Sequence, residues 1–322
     1  MIEINKIVIF DTNIYRGINS DDLNKIILKE RDKGITPHLS ILVAIELLAH
    51  QIQNEKDNKK KITRKALLKA INHCETNSEN IKIAPHSDWL LAQIYDNKYN
   101  PDIKHKKLYD LIGHFLFDIK NNNCKSLDSE IGQENIKSIV DFHNDRKFWY
   151  VEELKSFILE AVNNGVAKNL TISDSLKSMQ NDLRNSDAYV GILAKNIVLR
   201  ALKELGKITT KEIKDLDINN IPNEYAEIII EYFMPHIYLM KNAICKSIDR
   251  IKNRRINNVS DIEFSELEAN DYLDFHLSIH ITDYKFHSLF ITNEKQFKTA
   301  SGGKFKNHIM NLNKYKNYLG VV

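Results

Sequence analysis

Two short apolar runs in this chain each lead into a carboxylate. Residues 7–10 read IVIF and are followed by Asp11, and residues 287–292 read HSLFIT and lead, after one asparagine, to Glu294. An apolar run of this length without alternation predicts a buried strand. Ligands of α/β proteins bind where the strands end, so a carboxylate delivered there is a candidate for binding or catalysis. Capping of the following helix is the other role that Asp11 fits.

Three further carboxylates stand in predicted helices. Glu46 is the one charged residue between positions 41 and 49, in a stretch so apolar that most of its faces must be buried. A buried carboxylate needs a cationic partner, so either a basic side chain or a metal ion should lie against Glu46. Asp271 and Asp274 share one helical face, with Asn270 as the predicted cap of their helix. The helix dipole alone also favours acids in such a first turn.

Taken together, these carboxylates predict a metal site. Two strand ends would deliver Asp11 and Glu294 to one edge of a sheet, and helices could place Glu46 and either Asp271 or Asp274 beside them. These motifs contain no basic residue that is expected to neutralise the carboxylates. Carboxylates gathered in this way repel one another unless a hard cation lies among them, and Mg²⁺ or Mn²⁺ suits a site of oxygen ligands. Hydroxyl and amide side chains that could orient the carboxylates are Thr12, Asn13, Ser40, Thr292 and Asn293.

The elements that must position these residues have the order of an α/β unit. The strand at 7–10 is followed by a helix that Ser20 could cap and Gly34 would end, then by an extended piece at 35–39. Ser40 is the predicted cap of the apolar helix that carries Glu46. A strand–helix–strand–helix opening predicts a short parallel sheet. Further strand signals lie at 81–85 and 287–292, with a weaker one in the last five residues, YLGVV.

The middle of the chain has a different pattern. From about Trp89 to Asn257 the apolar spacing is that of amphipathic helices, and strand signals are nearly absent. The predicted organisation is therefore an α/β domain formed by residues 1–86 and 258–322, interrupted by an all-α insertion at 87–257. The insertion should form a separate layer or lobe, because a sheet with so few strands cannot cover that many amphipathic faces.

The order of these motifs resembles that of the PIN-domain nucleases. The resemblance rests on the strand followed by Asp-Thr-Asn at 11–13 and on the Ser-x-x-Val-x-x-Glu-Leu pattern of 40–47. It also rests on the acidic helix start and on Phe-Ile-Thr-Asn-Glu at 290–294. It implies a three-layer α/β/α fold and a Mg²⁺- or Mn²⁺-dependent endonuclease that hydrolyses phosphodiester bonds, in RNA rather than DNA. A toxin or a defence effector is a biological role that this resemblance would fit.

The resemblance also assigns roles to single residues. Asp11 matches the acid after the first strand, and Glu46 matches the acid of the second helix. Both Asp271 and Asp274 fit the third acid, and the nearby histidine in DFHLSIH favours Asp274 as the direct ligand. Glu294 stands where the family usually has the shorter aspartate. The implied metal ligands are thus Asp11, Glu46, Asp274 and Glu294, with Asp271 as a further catalytic candidate.

Basic residues are concentrated in three segments that could follow a phosphate backbone. The formal net charge of +3 is too small to establish a nucleic-acid partner by itself, and solvated faces of a lysine-rich protein are the alternative. The candidate nucleic-acid-binding residues are Lys59, Lys60, Lys61, Arg64, Arg254, Arg255, Lys298 and Lys304.

A second class of function fits the same sequence. A non-catalytic PIN-like module could bind nucleic acid, or it could bind a protein or a second copy of itself through the helical insertion. The full set of carboxylates favours the nuclease, because a binding module has no need to keep them. The three cysteines show no disulfide or zinc spacing, and no apolar stretch is long enough for a bilayer. A cytoplasmic protein without a membrane partner is therefore expected.

Overall fold

The structure is a computed structural model. It describes residues 6–52, 55–75, 81–121, 125–185, 188–207, 218–254, 256, 258–264, 266–284, 286–300 and 303–321. The strands in these ranges are β1 (Lys6–Phe10), β2 (Ile35–Pro37), β3 (Leu39–Ser40), β4 (Ile83–Ala84), β5 (His287–Ile291) and β6 (Ile309–Met310).

Helices account for most of the described chain. In the first part they are α1 (Thr12–Gly17), α2 (Ser20–Asp32), α3 (Ile41–Ala49), α4 (Asp57–Cys74), α5 (Ser87–Tyr95), α6 (Pro101–Lys104) and α7 (Lys106–Asn121). The middle contains α8 (Glu130–Ala167), α9 (Ile172–Asn185), α10 (Ala188–Glu204), α11 (Asn223–Tyr232) and α12 (Met234–Asn253). The remainder contains α13 (Glu266–Leu277), α14 (Lys295–Ala300) and α15 (Leu312–Leu319). Short 3₁₀ turns occur at Lys125–Asp128, Ile218–Asn220, Val259–Asp261, Ser278–His280 and Gly303–Asn307.

A small parallel sheet forms the centre of the α/β part. Its strand order is β2-β1-β5-β6, and β3 pairs with β4 in a separate parallel pair. In the central pairing, residues Lys6 to Phe10 face His287 to Ile291 in register. Four of the five residues in each central strand are buried, as expected for a parallel strand covered on both faces. The predicted class, α/β with a short parallel sheet, is confirmed.

The chain divides into two compact units. One comprises Met1–His143 and Ile279–Val322, and the other comprises Asn144–Ser278. The first boundary falls inside α8, at positions where the sequence shows no break. The sequence-based domain boundaries at 86/87 and 257/258 stay a prediction. Helical structure without strands is confirmed for the described residues between Trp89 and Asn257.

A buried polar network joins the helices around β1. His73 Nε2 lies 2.8 Å from Glu30 Oε2, and the Tyr315 hydroxyl donates to Glu30 Oε1 at 2.7 Å. The Tyr15 hydroxyl lies 2.9 Å from His73 Nδ1. The ring of Phe10 packs against the rings of Tyr15, His73 and Tyr315. Burial by itself lowers the pKa of His73, but Glu30 and Cys74 more than offset this and raise it to about 10. His73 and Glu30 therefore form a buried ion pair.

Some local expectations are wrong in detail. Asn19, and not Ser20, caps α2, since its side chain accepts from the Asp22 N–H at 2.7 Å. Both residue types cap well, and the structure places the helix start one residue earlier. Near the end of the chain, α15 ends at Leu319 and Gly320 is its C-cap, where the sequence suggests a strand.

The start predicted for the helix that carries Asp271 and Asp274 is also wrong. Asn270 and Asp271 lie inside α13, which begins earlier, at Glu266. The residues that precede Asn270 are good helix formers, so the helix extends through the predicted cap. Asp271 and Asp274 still share one face of this helix, but they are not in its first turn.

Candidate functional site

Asp11 lies where the two central strands of the sheet end. Its backbone N–H donates to the Ile291 carbonyl at 3.0 Å, which extends the β1–β5 ladder by one step. The next residue of the neighbouring strand is Thr292, so Asp11 and Thr292 sit side by side at the carboxyl edge. The Asp11 residue is 6% exposed. The predicted delivery of a carboxylate to this edge is confirmed.

The Asp11 carboxylate is held by polar side chains from both strand ends. The Thr292 hydroxyl donates to Asp11 Oδ2 at 2.6 Å, and the Asn13 amide donates to the same oxygen. The Asn13 side-chain oxygen in turn accepts from the Asn293 backbone N–H at 3.3 Å. Asp11 occupies the N-cap position of α1, but its side chain forms no cap hydrogen bond with that helix. The Asp11 side chain therefore bonds to the neighbouring strand end and to Asn13 and does not cap α1.

Glu46 reaches the same region from α3. The Thr12 hydroxyl donates to Glu46 Oε2 at 2.5 Å, and Arg16 Nη2 lies 3.0 Å from Glu46 Oε1. The side chains of this ion pair are 33% and 20% exposed for Arg16 and Glu46 respectively. A cationic partner for Glu46 was expected, and a basic side chain provides it. That side chain is Arg16, which directly follows the IVIFDTNIY stretch of residues 7–15 that contains Asp11.

Glu294 completes the group in the first unit. Its backbone N–H donates to Thr292 Oγ1 at 3.1 Å, and its side chain accepts from Gln296 Nε2 at 3.2 Å. The Thr292 hydroxyl thus donates to Asp11 while it accepts from the turn that carries Glu294. Glu294 is exposed, whereas Asp11 is buried. The small side chain of Thr292 therefore contacts both the buried Asp11 carboxylate and the turn that carries the exposed Glu294.

The electrostatics of Asp11 show that the three carboxylates interact. Burial, followed by the negative charges of Glu46 and Glu294, raises the pKa of Asp11 from 3.8 to about 7, although the hydrogen bond from Thr292 opposes this rise. At neutral pH a carboxyl group with a pKa of about 7 is only partly ionised, and a nearby positive charge would favour its ionised form. Arg16 contacts Glu46, and the group still carries more negative than positive charge.

The donor atoms of this group fit a hard divalent cation. Asp11, Glu46 and Glu294 offer carboxylate oxygens, and hydroxyl and amide groups hold them in place. Magnesium and manganese favour such oxygen ligands and keep water at their remaining positions. In the described part of the chain, Asp11, Glu46 and Glu294 are not a group whose ligand atoms all lie within 4.8 Å of one another. Their side chains would therefore have to move closer together to hold one ion.

Ser40, which was expected to orient a carboxylate, lies beside His280. Its hydroxyl caps α3 by accepting from the Leu42 N–H at 3.3 Å, and it lies 3.2 Å from His280 Nε2. The capping role predicted for Ser40 is confirmed. Burial lowers the pKa of His280 to about 3, so this ring is neutral and acts as a hydrogen-bonding neighbour of the cap.

Asp271 and Asp274 belong to the second compact unit, while the other candidate carboxylates belong to the first. Within its own unit Asp271 is already paired. Lys246 Nζ lies 3.2 Å from Asp271 Oδ1, and Arg250 Nη1 lies 3.1 Å from Asp271 Oδ2. The participation of Asp271 or Asp274 in the metal site stays a prediction.

The candidate nucleic-acid-binding residues differ in how far they are engaged. Arg64 donates two hydrogen bonds to Asp128, at 2.9 and 2.7 Å, and Lys59 pairs with Glu55 at 3.2 Å. Arg254 donates to the Glu263 carbonyl at 2.5 Å. Lys61, Lys298 and Lys304 are exposed, Lys60 is half-buried, and Arg255 lies outside the described residues. The exposed lysines remain the most accessible of the predicted phosphate contacts.

Arg16 is the site residue that sequence reasoning missed. It lies four positions after Thr12 on α1, the spacing that places two side chains on one helical face. That spacing could have placed Arg16 beside the Thr12–Glu46 contact, since both side chains point to the same side of the helix.

Comparison of the chain with protein-family models, curated proteins and solved structures gives no match. The likeness to PIN-domain nucleases therefore rests on the sequence motifs alone. Among the described residues, no helix has both the length and the apolar character needed to cross a bilayer.

Proposed function

We propose that this protein is a metal-dependent endonuclease that hydrolyses phosphodiester bonds in RNA. The observation that carries the proposal is the buried Asp11 carboxylate, which lies at the carboxyl edge of the sheet within the electrostatic reach of Glu46 and Glu294. Burying a carboxylate among like charges destabilises the folded chain unless a bound cation offsets the repulsion. A cation-binding role explains this arrangement better than a capping role does.

The residues of the chain would share the work as follows. Asp11, Glu46 and Glu294 would hold Mg²⁺ or Mn²⁺. Thr292 and Asn13 orient the Asp11 carboxylate through their hydrogen bonds to its Oδ2. When bound, the divalent ion supplies Lewis-acid chemistry towards water and phosphate oxygens.

Two further features would serve the reaction. Arg16 pairs with Glu46 and can turn towards a phosphate when a cation takes its place, because the pair is partly exposed. The exposed lysines Lys61, Lys298 and Lys304 would contact the phosphate backbone on either side of the cut. The three-layer α/β/α arrangement of a PIN-like domain, with the helical middle as an insertion, belongs to the same proposal. So do a cytoplasmic location and a role as a toxin or defence effector.

The second candidate is a PIN-like module that binds nucleic acid or a protein without cutting. The ion pair between Arg16 and Glu46 favours it, because an arginine already neutralises one of the acids. In that case the helical insertion would provide the contact with a protein partner or a second copy of the chain.

The test uses the purified full-length chain with labelled structured RNA, single-stranded RNA and single-stranded DNA, in Mn²⁺, in Mg²⁺ and in EDTA. Asp11→Asn is the site variant, and Asp21→Asn is the matched control because Asp21 is an exposed acid in the first turn of α2. Cleavage of RNA that needs metal, survives in the control and disappears in Asp11→Asn supports the nuclease. Cleavage that persists in EDTA contradicts it, and RNA binding without cleavage in any metal supports the binding module.

A further inference from the structure

A second group of potential ligands lies at the opposite edge of the sheet from Asp11. His287 is the first residue of β5, and His308 directly precedes β6, the parallel neighbour of β5. The strand register places His308 beside Leu289, two positions along β5 from His287, and the rings of the two histidines meet there. Along β5 the rise from His287 to the last strand residue is about 13 Å, so this group is distinct from the carboxylates at the other end.

Asp283 joins the two histidines through separate oxygens. His287 Nδ1 lies 2.8 Å from Asp283 Oδ1, and His308 Nε2 lies 3.1 Å from Asp283 Oδ2. The centroids of the two imidazole rings are 4.4 Å apart, and one ligand atom from each residue lies within 4.8 Å of the other two. In a tetrahedral zinc site with Zn–N bonds of about 2.0 Å, neighbouring ligand atoms are roughly 3.3 Å apart. The two nitrogen–oxygen distances, 2.8 and 3.1 Å, are close to this value.

The His308 ring is oriented so that one of its nitrogens is directed at the group. Its Nδ1 lies 2.7 Å from the Ser288 carbonyl oxygen, which can only accept, so Nδ1 carries the hydrogen. The other ring nitrogen, Nε2, faces Asp283 Oδ2. The His308 side chain is 2% exposed, so the surrounding protein fixes this orientation. A histidine that ligates a metal commonly donates its other ring hydrogen to a backbone carbonyl in this way.

The loop that carries Asp283 is fixed at its base. The Ser288 N–H and the Ser288 hydroxyl both donate to the Thr282 carbonyl, at 3.2 and 2.9 Å, and the Thr282 N–H donates to the Ser288 hydroxyl at 2.8 Å. The next turn is held by the Tyr284 N–H, which donates to Thr282 Oγ1 at 2.9 Å. These bonds hold the Asp283 carboxylate against the rings of His287 and His308. Little rearrangement is therefore needed for one metal ion to bind all three side chains.

We propose that Asp283, His287 and His308 bind one Zn²⁺ ion. Two imidazole nitrogens and one carboxylate oxygen are ligands that zinc accepts, whereas Mg²⁺ and Mn²⁺ prefer sites made of oxygen. The side chains of Asp283 and His287 are 36% and 32% exposed, so the ion can enter from solvent and keep a fourth position open to water. The ion ties the loop before β5 to the amino end of β6. Its binding does not depend on the proposed nuclease activity.

The test measures zinc uptake by the full-length chain in the absence of nucleic acid. The protein is stripped with a chelator, dialysed and titrated with Zn²⁺ by calorimetry, and Co²⁺ is then used as a probe whose visible spectrum reports four-coordinate nitrogen and oxygen ligation. Asp283→Asn and His287→Gln are the site variants, since both residues are partly exposed and their replacements keep a similar size. His114→Gln is the matched control because His114 is an exposed histidine on α7.

The wild type and the His114 variant should bind one zinc ion per chain. Each site variant should lose roughly tenfold or more in affinity, by analogy with the loss of groups that support a metal ligand. Asp11→Asn should bind zinc as the wild type does, which separates this result from the test of the nuclease. Equal zinc affinity in the wild type and both site variants would overturn the proposal, and so would a chain that takes up no zinc. In either case Asp283 and the two histidines are a hydrogen-bonded group only.

Discussion

Replacement of Asp11 by asparagine tests whether a buried carboxylate is kept at a cost to stability. The pKa of Asp11 rises from 3.8 in the unfolded chain to about 7 in the folded protein, chiefly because of burial and then because of Glu46 and Glu294. The folded protein therefore binds this proton more tightly than the unfolded chain does. The free energy of unfolding must fall as the pH rises from 3.8 to about 7, and by roughly 4 kcal/mol in total.

Asparagine does not titrate, and its side-chain oxygen can still accept the hydrogen bond from Thr292. Without metal, the stability of Asp11→Asn relative to the wild type should increase by roughly 2.5 kcal/mol between pH 5 and pH 8. Most other titrating groups are common to both proteins, so their effects largely cancel in this difference. Urea denaturation of both proteins in EDTA, at several pH values across this range, measures it.

Metal should reverse the order of stability. Mn²⁺ binds the folded wild type and should raise its melting temperature, whereas the asparagine variant should gain much less. Cleavage of RNA by the variant should fall by orders of magnitude. A stability difference that stays flat between pH 5 and pH 8, together with equal stabilisation of both proteins by Mn²⁺, would refute the reasoning.

Three further predictions follow from single contacts. Thr292→Val removes the hydroxyl that donates to Asp11, so the pKa of Asp11 should rise further and the pH profile of RNA cleavage should shift to higher pH; an unchanged profile contradicts this role. His73→Gln removes the cation from a buried ion pair and should cost about 3–5 kcal/mol in urea denaturation at pH 7. Because the pKa of His73 is raised to about 10, this contribution is complete below pH 6.5 and is lost as the pH rises through 10, and a cost that does not change with pH contradicts it. Gly34→Ala should cost about 1 kcal/mol, since Gly34 has a φ of +64° and no crowding neighbour, while the control Gly17→Ala, which is in α1 and has no positive φ, should not destabilise the protein.

Local patterns in the sequence were sufficient for the elements that carry the candidate site. Residues 7–10 and 287–292 predicted buried strands because parallel strands covered on both faces have no polar alternation. Ser40 was predicted as the cap of α3 because its hydroxyl can accept from a free helix N–H. Gly34 was predicted as the end of α2 because a residue without a Cβ adopts a positive φ at little cost. The placement of Asp11 at a strand end followed directly from these patterns.

Helix boundaries were harder to predict where two residues could serve equally well. Asn19 and Ser20 are both good caps, and only the packed helix selects the first. Asn270 had the sequence of a cap but lies within α13, because the residues before it also favour a helix. The final helix was missed since its apolar residues are few, and its burial depends on Tyr315 and Leu319 packing against the rest of the unit.

The contacts that give the site its chemistry were decided by the tertiary structure. Thr292 reaches Asp11 from 281 positions away, and only the register of two parallel strands brings them together. The ion pair between Arg16 and Glu46 depends on how α1 and α3 pack. The group of Asp283, His287 and His308 depends on the pairing of β5 with β6, a strand too short to show in the sequence. Residue types and their local spacing determine which side chains are available for chemistry, whereas long-range pairing of the backbone determines which of them meet.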